Sequence, residues 1–105
     1  METKLFIDDV RNPPTTEWAV ARSFSEAMNY MLDHGCPQYI SFDHDLGIGP
    51  SGYDIADWMV DMDLDNDGFA IPDDFDYTVH SANPVGKSNI QALITGYLAF
   101  RKHNV

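Results

Sequence analysis

Four short apolar segments alternate with amphipathic segments along this chain, and this alternation limits the folds that it can adopt. The apolar segments have the length of β-strands and lie at residues 4–8 (KLFID), 18–21 (WAVA), 38–45 (QYISFDHD) and 77–84 (YTVHSANP). The amphipathic segments repeat apolar residues at spacings near three and four, which predicts helices within residues 23–35, 52–62 and 84–105. Strands that alternate with helices form right-handed parallel crossovers. We therefore expect an α/β fold with a mostly parallel, roughly four-stranded sheet covered by helices.

Length, charge and cysteine content limit the class of protein. A chain of 105 residues buries one hydrophobic core, which predicts a single domain over residues 1–105. Seventeen acidic residues against six Lys and Arg give a net charge of −11. This charge disfavours bare nucleic acid and anionic membranes and favours cations or a basic protein partner. With one cysteine, Cys36, and neither a signal peptide nor a membrane-spanning run, the sequence predicts a cytoplasmic protein without a disulfide.

Three of the four predicted strands end in polar clusters. Asp8 and Asp9 follow the first strand, Asp43, His44 and Asp45 follow the third, and residues 80–83 (HSAN) follow the fourth. The carboxyl ends of parallel strands share one edge of the sheet, where ligands bind. Carboxylates gathered there would repel one another unless a cation such as Mg²⁺ or Mn²⁺ neutralised them. The alternative is that each acid only caps a turn.

His80 and His44 stand at strand ends, where an imidazole can exchange a proton near neutral pH or bind a metal. The alternative is a structural role for each. The segment after His80 places Ser81, Asn83, Gly86 and Lys87 at the predicted start of the last helix, where free N–H groups favour an anion. The spacing differs from that of a Walker phosphate loop, and an ordinary helix start capped by Asn83 or Ser81 remains the alternative.

Four segments, LFIDDVR, ISFDHDLG, GYDIADW and VHSANPVG, in this order and with this spacing resemble the cyclic-phosphate processing receiver-like domains. These are relatives of the response-regulator receiver domain, and the resemblance spans nearly the whole chain. It implies a small three-layer, receiver-like (flavodoxin-like) fold. Two departures are expected: a Pro-containing loop replaces the first crossover helix, and the fifth strand with its lysine is missing. Lys87 is a candidate replacement for that lysine at a different position.

The resemblance also implies roles for individual residues. Asp8 and Asp9 would hold a divalent cation, Asp43 matches the phospho-accepting position, and Ser81 matches the hydroxyl residue that contacts a phosphoryl group. His44, Asp45, His80 and Asn83 are the additions that distinguish the family from receivers. Its proposed role is hydrolysis or binding of cyclic phosphates.

A second acidic motif lies at residues 63–74 (DLDNDGFAIPDD), which nearly fits a calcium-binding loop. Asp63, Asp65 and Asp67 occupy the first, third and fifth positions and Gly68 the sixth. Pro72 and the short Asp74 at the last position depart from the motif, and no second helix follows. A solvated acidic loop is the alternative to a Ca²⁺ site.

Three functions remain open at this point. The first is metal-assisted hydrolysis of a small cyclic phosphate, a cyclic nucleotide or a 2′,3′-cyclic phosphate, in the cytoplasm of a bacterial or phage-infected cell. In it Asp8, Asp9 and Asp43 bind the metal, His80 is the first candidate for the general base or acid and His44 the second, and Asp45 orients His44 or a water. The two histidines could also serve as acid and base without a metal. The second is a protein that binds and sequesters a cyclic nucleotide without turnover. The third is an acidic module that docks on a basic protein surface.

Overall fold

The computed structural model describes residues 3–65 and 68–103. It contains four strands and three helices in the order β1 (Lys4–Ile7), β2 (Ala19–Ala21), α1 (Phe24–His34), β3 (Tyr39–Phe42), α2 (Gly52–Asp65), β4 (Asp76–Val79) and α3 (Pro84–His103). All four predicted strands and all three predicted helices are therefore confirmed.

The strands form one sheet in the order β2-β1-β3-β4. Each neighbouring pair is parallel, with Ile7 opposite Phe42 and Phe42 opposite Val79 at the carboxyl ends. The chain passes from β1 to β2 through residues 8–18 without a helix, as expected from Pro13 and Pro14, because proline lacks the amide hydrogen that a helix interior needs. The receiver-like α/β fold is confirmed.

Helices α1 and α3 begin where the sequence supplies a cap. Ser23 Oγ accepts the amide of Glu26 at the start of α1, and Gly35, at φ 83°, ends this helix by donating its N–H to Met31 O. At α3, Asn83 is the cap, because its side-chain oxygen accepts the Gly86 amide at 3.0 Å, and Pro84 occupies the first helical position.

The apolar core lies on one face of the sheet. Leu5, Ile7, Ile40, Phe42 and Val79 contribute to it from the strands. The helices contribute Ala27 and Met31 from α1, Ile55, Ala56 and Met59 from α2, and Ile90 and Ile94 from α3. All three helices therefore cover the same face, and the described part of the chain has two layers rather than the expected three. The missing first crossover helix accounts for part of this difference, since an eleven-residue connection with two prolines forms no covering helix.

The opposite face carries a small aromatic cluster in place of a helix. Phe6 packs edge-to-face on Trp18 with ring centroids 5.9 Å apart, and Trp18 packs in the same way on Tyr39. Ser41 and Thr78 occupy the polar positions of this face beside Phe6. Within residues 3–65 and 68–103, no helix is long and apolar enough to cross a bilayer.

The predicted calcium loop differs from its motif where the structure describes it. Asp63 and Asp65 lie within α2, and Asp67 lies outside the described residues. Asp63 accepts hydrogen bonds from the Ile71 amide, Tyr97 Oη and Arg101 Nη1. Burial raises the pKa of Asp63, but these bonds lower it by more, so the net pKa is below its ordinary value. Asp63 thus joins α2 to α3 and to the segment before β4, and Arg101 supplies the positive charge that a calcium ion would have supplied.

Candidate active site

Three of the strands position one polar residue each at the same edge of the sheet. The backbone ladder continues one residue beyond each strand, because Asp43 N–H donates to Ile7 O and His80 N–H donates to Phe42 O, both at 2.9 Å. Asp8 N–H donates to Ala21 O in the same way. Asp8, Asp43 and His80 are therefore held in register by the sheet itself, and the predicted convergence of these three polar strand ends is confirmed.

Asp8 is fully buried, and both of its carboxylate oxygens are hydrogen-bonded. Oδ1 accepts the amides of Val10 and Arg11 at 2.9 and 2.8 Å, and Oδ2 lies 2.9 Å from His80 Nε2. Burial raises the pKa of Asp8, but the bonds from the two amides and from His80 outweigh it, so the net pKa lies below the ordinary value. Asp8 is an anion at neutral pH, as a metal ligand must be.

His80 is held at both ring nitrogens and on one ring face. Nδ1 lies 2.7 Å from Ser41 Oγ, and the ring stacks on Phe6 with centroids 4.6 Å apart and planes 6° from parallel. Thr78 Oγ1 donates to Ser41 Oγ at 3.2 Å. When Ser41 in turn donates to Nδ1, the ring proton is on Nε2 and points at Asp8. Ser41 was not among the residues predicted from the sequence, although a polar residue inside the apolar strand YISF is the signal that could have identified it.

Asp8, Asp43 and His80 each offer one ligand atom, and these atoms lie within 4.8 Å of one another. Bonds of about 2.1 Å to a divalent cation place opposite ligands about 4.2 Å apart, so the three side chains need little movement to share one ion. Such an ion would replace the proton between His80 Nε2 and Asp8. The residues thus fit a divalent metal, and two oxygens with one imidazole suit Mn²⁺ better than Mg²⁺.

Asp9, the third predicted metal ligand, is separate from this cluster. Its Oδ2 lies beside Gly47, 3.7 Å from where a Cβ on that glycine would be. Asp9 lies in the bend after β1 and is not part of the group of side chains whose ligand atoms lie within 4.8 Å of one another. The structure therefore brings Asp8, rather than the pair, to the site.

A second polar group lies directly beyond Asp43. His44 Nδ1 is 2.9 Å from Asp45 Oδ1, which also accepts the Asn83 side-chain amide at 3.4 Å. The hydrogen bond from His44, followed by that from Asn83, lowers the pKa of Asp45. Among the described residues none bonds to His44 Nε2. Asp45 therefore engages one ring nitrogen of His44, and the other ring nitrogen is left for a ligand.

The predicted phosphate-binding residues at α3 are only partly assembled around the site. Gly86 packs against the His44 ring, where a Cβ would lie 2.5 Å from Cδ2. Ser81 Oγ accepts the Asn83 amide at 3.1 Å and so shapes the turn into α3. Lys87 is exposed on the first turn, and no acidic group in the described part of the chain pairs with it.

Two arginines that the sequence analysis missed lie beside Asp8. Arg11 Nε is 3.6 Å from Asp8 Oδ2, and its Nη1 donates to His80 O at 3.3 Å. Arg22 Nη1 donates to the backbone carbonyls of Asp8 and Arg11 and therefore holds the loop after β1. The Arg11 side chain remains 52% exposed, so it is a cation available to an anionic ligand. Arg11 lies in the segment DDVR, but its position beside Asp8 and His80 depends on the fold.

Comparison with known proteins agrees with this geometry. Residues 3–96 match the family model of the cyclic-phosphate processing receiver domain. A solved structure of a fusion protein carrying a yeast Spc42 trimeric coiled-coil segment superposes with a TM-score of 0.61 at 14% sequence identity. The match covers 98% of this chain and 82% of the other, and at this identity it shows similarity of fold alone. The search of curated proteins gave no match. Since the family model spans most of the chain, this protein belongs to the cyclic-phosphate processing receiver domain family.

Proposed function

We propose that this domain hydrolyses a small cyclic phosphate, a cyclic nucleotide or 2′,3′-cyclic phosphate, to the phosphomonoester. The observation that carries the proposal is the convergence of Asp8, Asp43 and His80 at one sheet edge, with the His44–Asp45 pair immediately after Asp43. A cluster of metal ligands next to an imidazole with one unbonded nitrogen supports phosphoryl chemistry better than it supports a surface for protein docking.

The carboxylates of Asp8 and Asp43 and Nε2 of His80 would hold the metal. A bound divalent cation would neutralise charge on the phosphate and polarise the phosphorus centre. Arg11 would add a positive charge on the exposed side of Asp8. The positive charge of Arg11 matters because a chain of net charge −11 otherwise repels an anionic substrate.

The two histidines are suited to different tasks. Both nitrogens of His80 are engaged by Ser41 and Asp8, which suits a ligand of fixed orientation. His44 has Nδ1 engaged by Asp45 and Nε2 unbonded, which is the arrangement of a general base or acid. The geometry therefore favours His44 as the proton carrier, in contrast to the order expected from the sequence.

The reaction balances with one water molecule. Water oxygen forms a bond to phosphorus while one ring P–O ester bond breaks. His44 Nε2 takes a proton from the water, and the imidazolium so formed gives that proton to the leaving alkoxide. Asp45 would stabilise the imidazolium formed on His44, as its hydrogen bond to Nδ1 allows.

The test is incubation with a panel of cyclic mononucleotides, cyclic dinucleotides and 2′,3′-cyclic ends, with Mn²⁺, Mg²⁺ or chelator, analysed by mass spectrometry. We expect ring opening of at least one class, faster with Mn²⁺ than with Mg²⁺. His44→Ala should reduce the rate by about 10²–10⁴-fold, which is the usual contribution of a general acid or base.

His103→Ala, at an exposed position near the end of α3, is the matched control and should keep the parent rate. Calorimetry gives a readout that does not depend on turnover: Mn²⁺ should bind the parent chain and lose affinity in Asp43→Asn. Stoichiometric binding of a cyclic phosphate that is recovered intact under every metal condition would contradict hydrolysis and favour a sequestering protein. Salt-sensitive binding to a basic protein that survives loss of Asp8, Asp43 and His80 would favour the docking module.

A further inference from the structure

An open groove of about 570 Å³ lies between the start of α2 and the first half of α3. Its lining consists of His44, Ser51, Tyr53, Asn89, Ala92 and Leu93. The strand-end cluster of Asp8, Asp43 and His80 does not line it, so the groove is separate from the metal-ligand set.

Two glycines bring the groove and the strand ends together. Gly52 lies so close to the backbone of Asp43 that a Cβ would overlap the Asp43 carbonyl oxygen. Gly86 allows α3 to pack directly against the His44 ring. His44 is therefore one wall of the groove and also the residue after Asp43, so one small ligand can contact both places.

The side chains that line the groove are suited to bind an uncharged group of a ligand. The lining contains no Lys, Arg, Asp or Glu, which argues against a phosphate there. Tyr53, Ala92 and Leu93 supply aromatic and aliphatic surface, and Ser51 and Asn89 supply hydroxyl and amide groups. An amide that both donates and accepts hydrogen bonds matches the polar edge of a flat heterocycle. The volume falls within the range of about 300–1,000 Å³ that is usual for small-molecule sites.

We propose that this groove binds the nucleobase of a cyclic mononucleotide whose phosphate faces Asp43, with His44 between the two parts. The inference rests on the proposed function for the position of the phosphate. It adds that the substrate carries a nucleobase, because the lining offers apolar surface and one amide for a single base. Base-free cyclic phosphates should bind more weakly.

The experiment is an NMR titration of the full chain, labelled with ¹⁵N, with three probes. Adenosine and uridine carry a base without phosphate, glycerol 1,2-cyclic phosphate carries the ring phosphate without a base, and the 2′,3′-cyclic nucleotides carry both. We expect the nucleosides to shift amides at Ser51, Tyr53, Asn89 and Ala92, the base-free phosphate to shift those near Asp43 and Arg11, and the nucleotides to shift both groups.

Ala92→Phe fills the groove from an exposed helix position and should weaken nucleotide binding at least tenfold more than it weakens binding of the base-free phosphate. Ala99→Phe makes the same change elsewhere on α3 and should leave all three affinities unchanged. Nucleosides that shift none of the groove amides, or an Ala92→Phe chain that binds nucleotides like the parent, would overturn the inference.

The two proposals fail in different ways. Absence of turnover for every cyclic phosphate contradicts the hydrolase, while the nucleoside shifts still decide whether the groove binds a base. Equal turnover of base-free and nucleoside substrates contradicts the groove assignment and leaves the hydrolase intact.

Discussion

Gly86→Ala tests how tightly α3 holds the candidate general base. A Cβ at this position would lie 2.5 Å from His44 Cδ2 and 2.7 Å from Nδ1, whereas ordinary contacts begin at 3.4 Å. The ring must therefore move by about an ångström, since carbon atoms resist closer approach steeply. The movement separates Nδ1 from Asp45 Oδ1, to which it is now 2.9 Å away.

The magnitude follows from two opposing effects. Overpacking of this kind costs about 1–3 kcal/mol. Alanine in place of glycine in a helix recovers up to about 1 kcal/mol. With full recovery, the net loss of unfolding free energy is therefore about 0–2 kcal/mol, which lowers the Tm by up to about 10 °C in a domain of this size. A displacement of about 1 Å at a catalytic group also costs on the order of 100-fold in rate.

Thermal unfolding followed by circular dichroism measures the first effect, and single-turnover hydrolysis measures the second. Gly96→Ala is the matched control, because it lies in the same helix with nothing within 4 Å of the added Cβ. It should raise the unfolding free energy by about 0.5–1 kcal/mol through helix propensity, and the Tm should therefore rise by a few degrees. A Gly86→Ala chain that melts as high as the Gly96→Ala chain would refute the close packing of α3 against His44.

Three further predictions concern buried polar contacts. Asp63→Asn should lower the unfolding free energy by about 2 kcal/mol in urea titration, less than a fully buried pair because Arg101 stays partly exposed. Unfolding free energy should fall as the pH drops below about 4, since the folded-state pKa values of Asp8 and Asp63 lie below the ordinary 3.8, and Asp63→Asn should flatten this decline. If the stability profile of Asp63→Asn is as steep as that of the parent, Asp63 is not responsible. Ser41→Ala should leave the protein folded but shift the pH dependence of Mn²⁺ affinity, because His80 loses the partner of Nδ1; an unchanged pH profile would contradict the orienting role of Ser41.

The order and type of the elements were predictable from the sequence, because they depend on local patterns. Apolar runs of strand length, the Ser23 and Asn83 caps, Gly35 and Pro84 each act within a few residues of their own position. Parallel pairing followed from the alternation of strands and helices. The common edge for Asp8, Asp43 and His80 followed from the parallel sheet.

Local sequence patterns are therefore enough to identify the set of elements and the edge at which the polar residues meet. Which of these residues face one another depends on tertiary contacts. In the folded chain Asp9 lies apart from the metal-ligand group, and Arg11 contacts Asp8. Asp63 pairs with Arg101, which is 38 residues away in the sequence. These outcomes depend on side-chain direction and on contacts between residues far apart in sequence, and local patterns carry no information about either. The difference between the two histidines also depends on tertiary contacts: His80 is bonded at both ring nitrogens, whereas His44 is bonded at one.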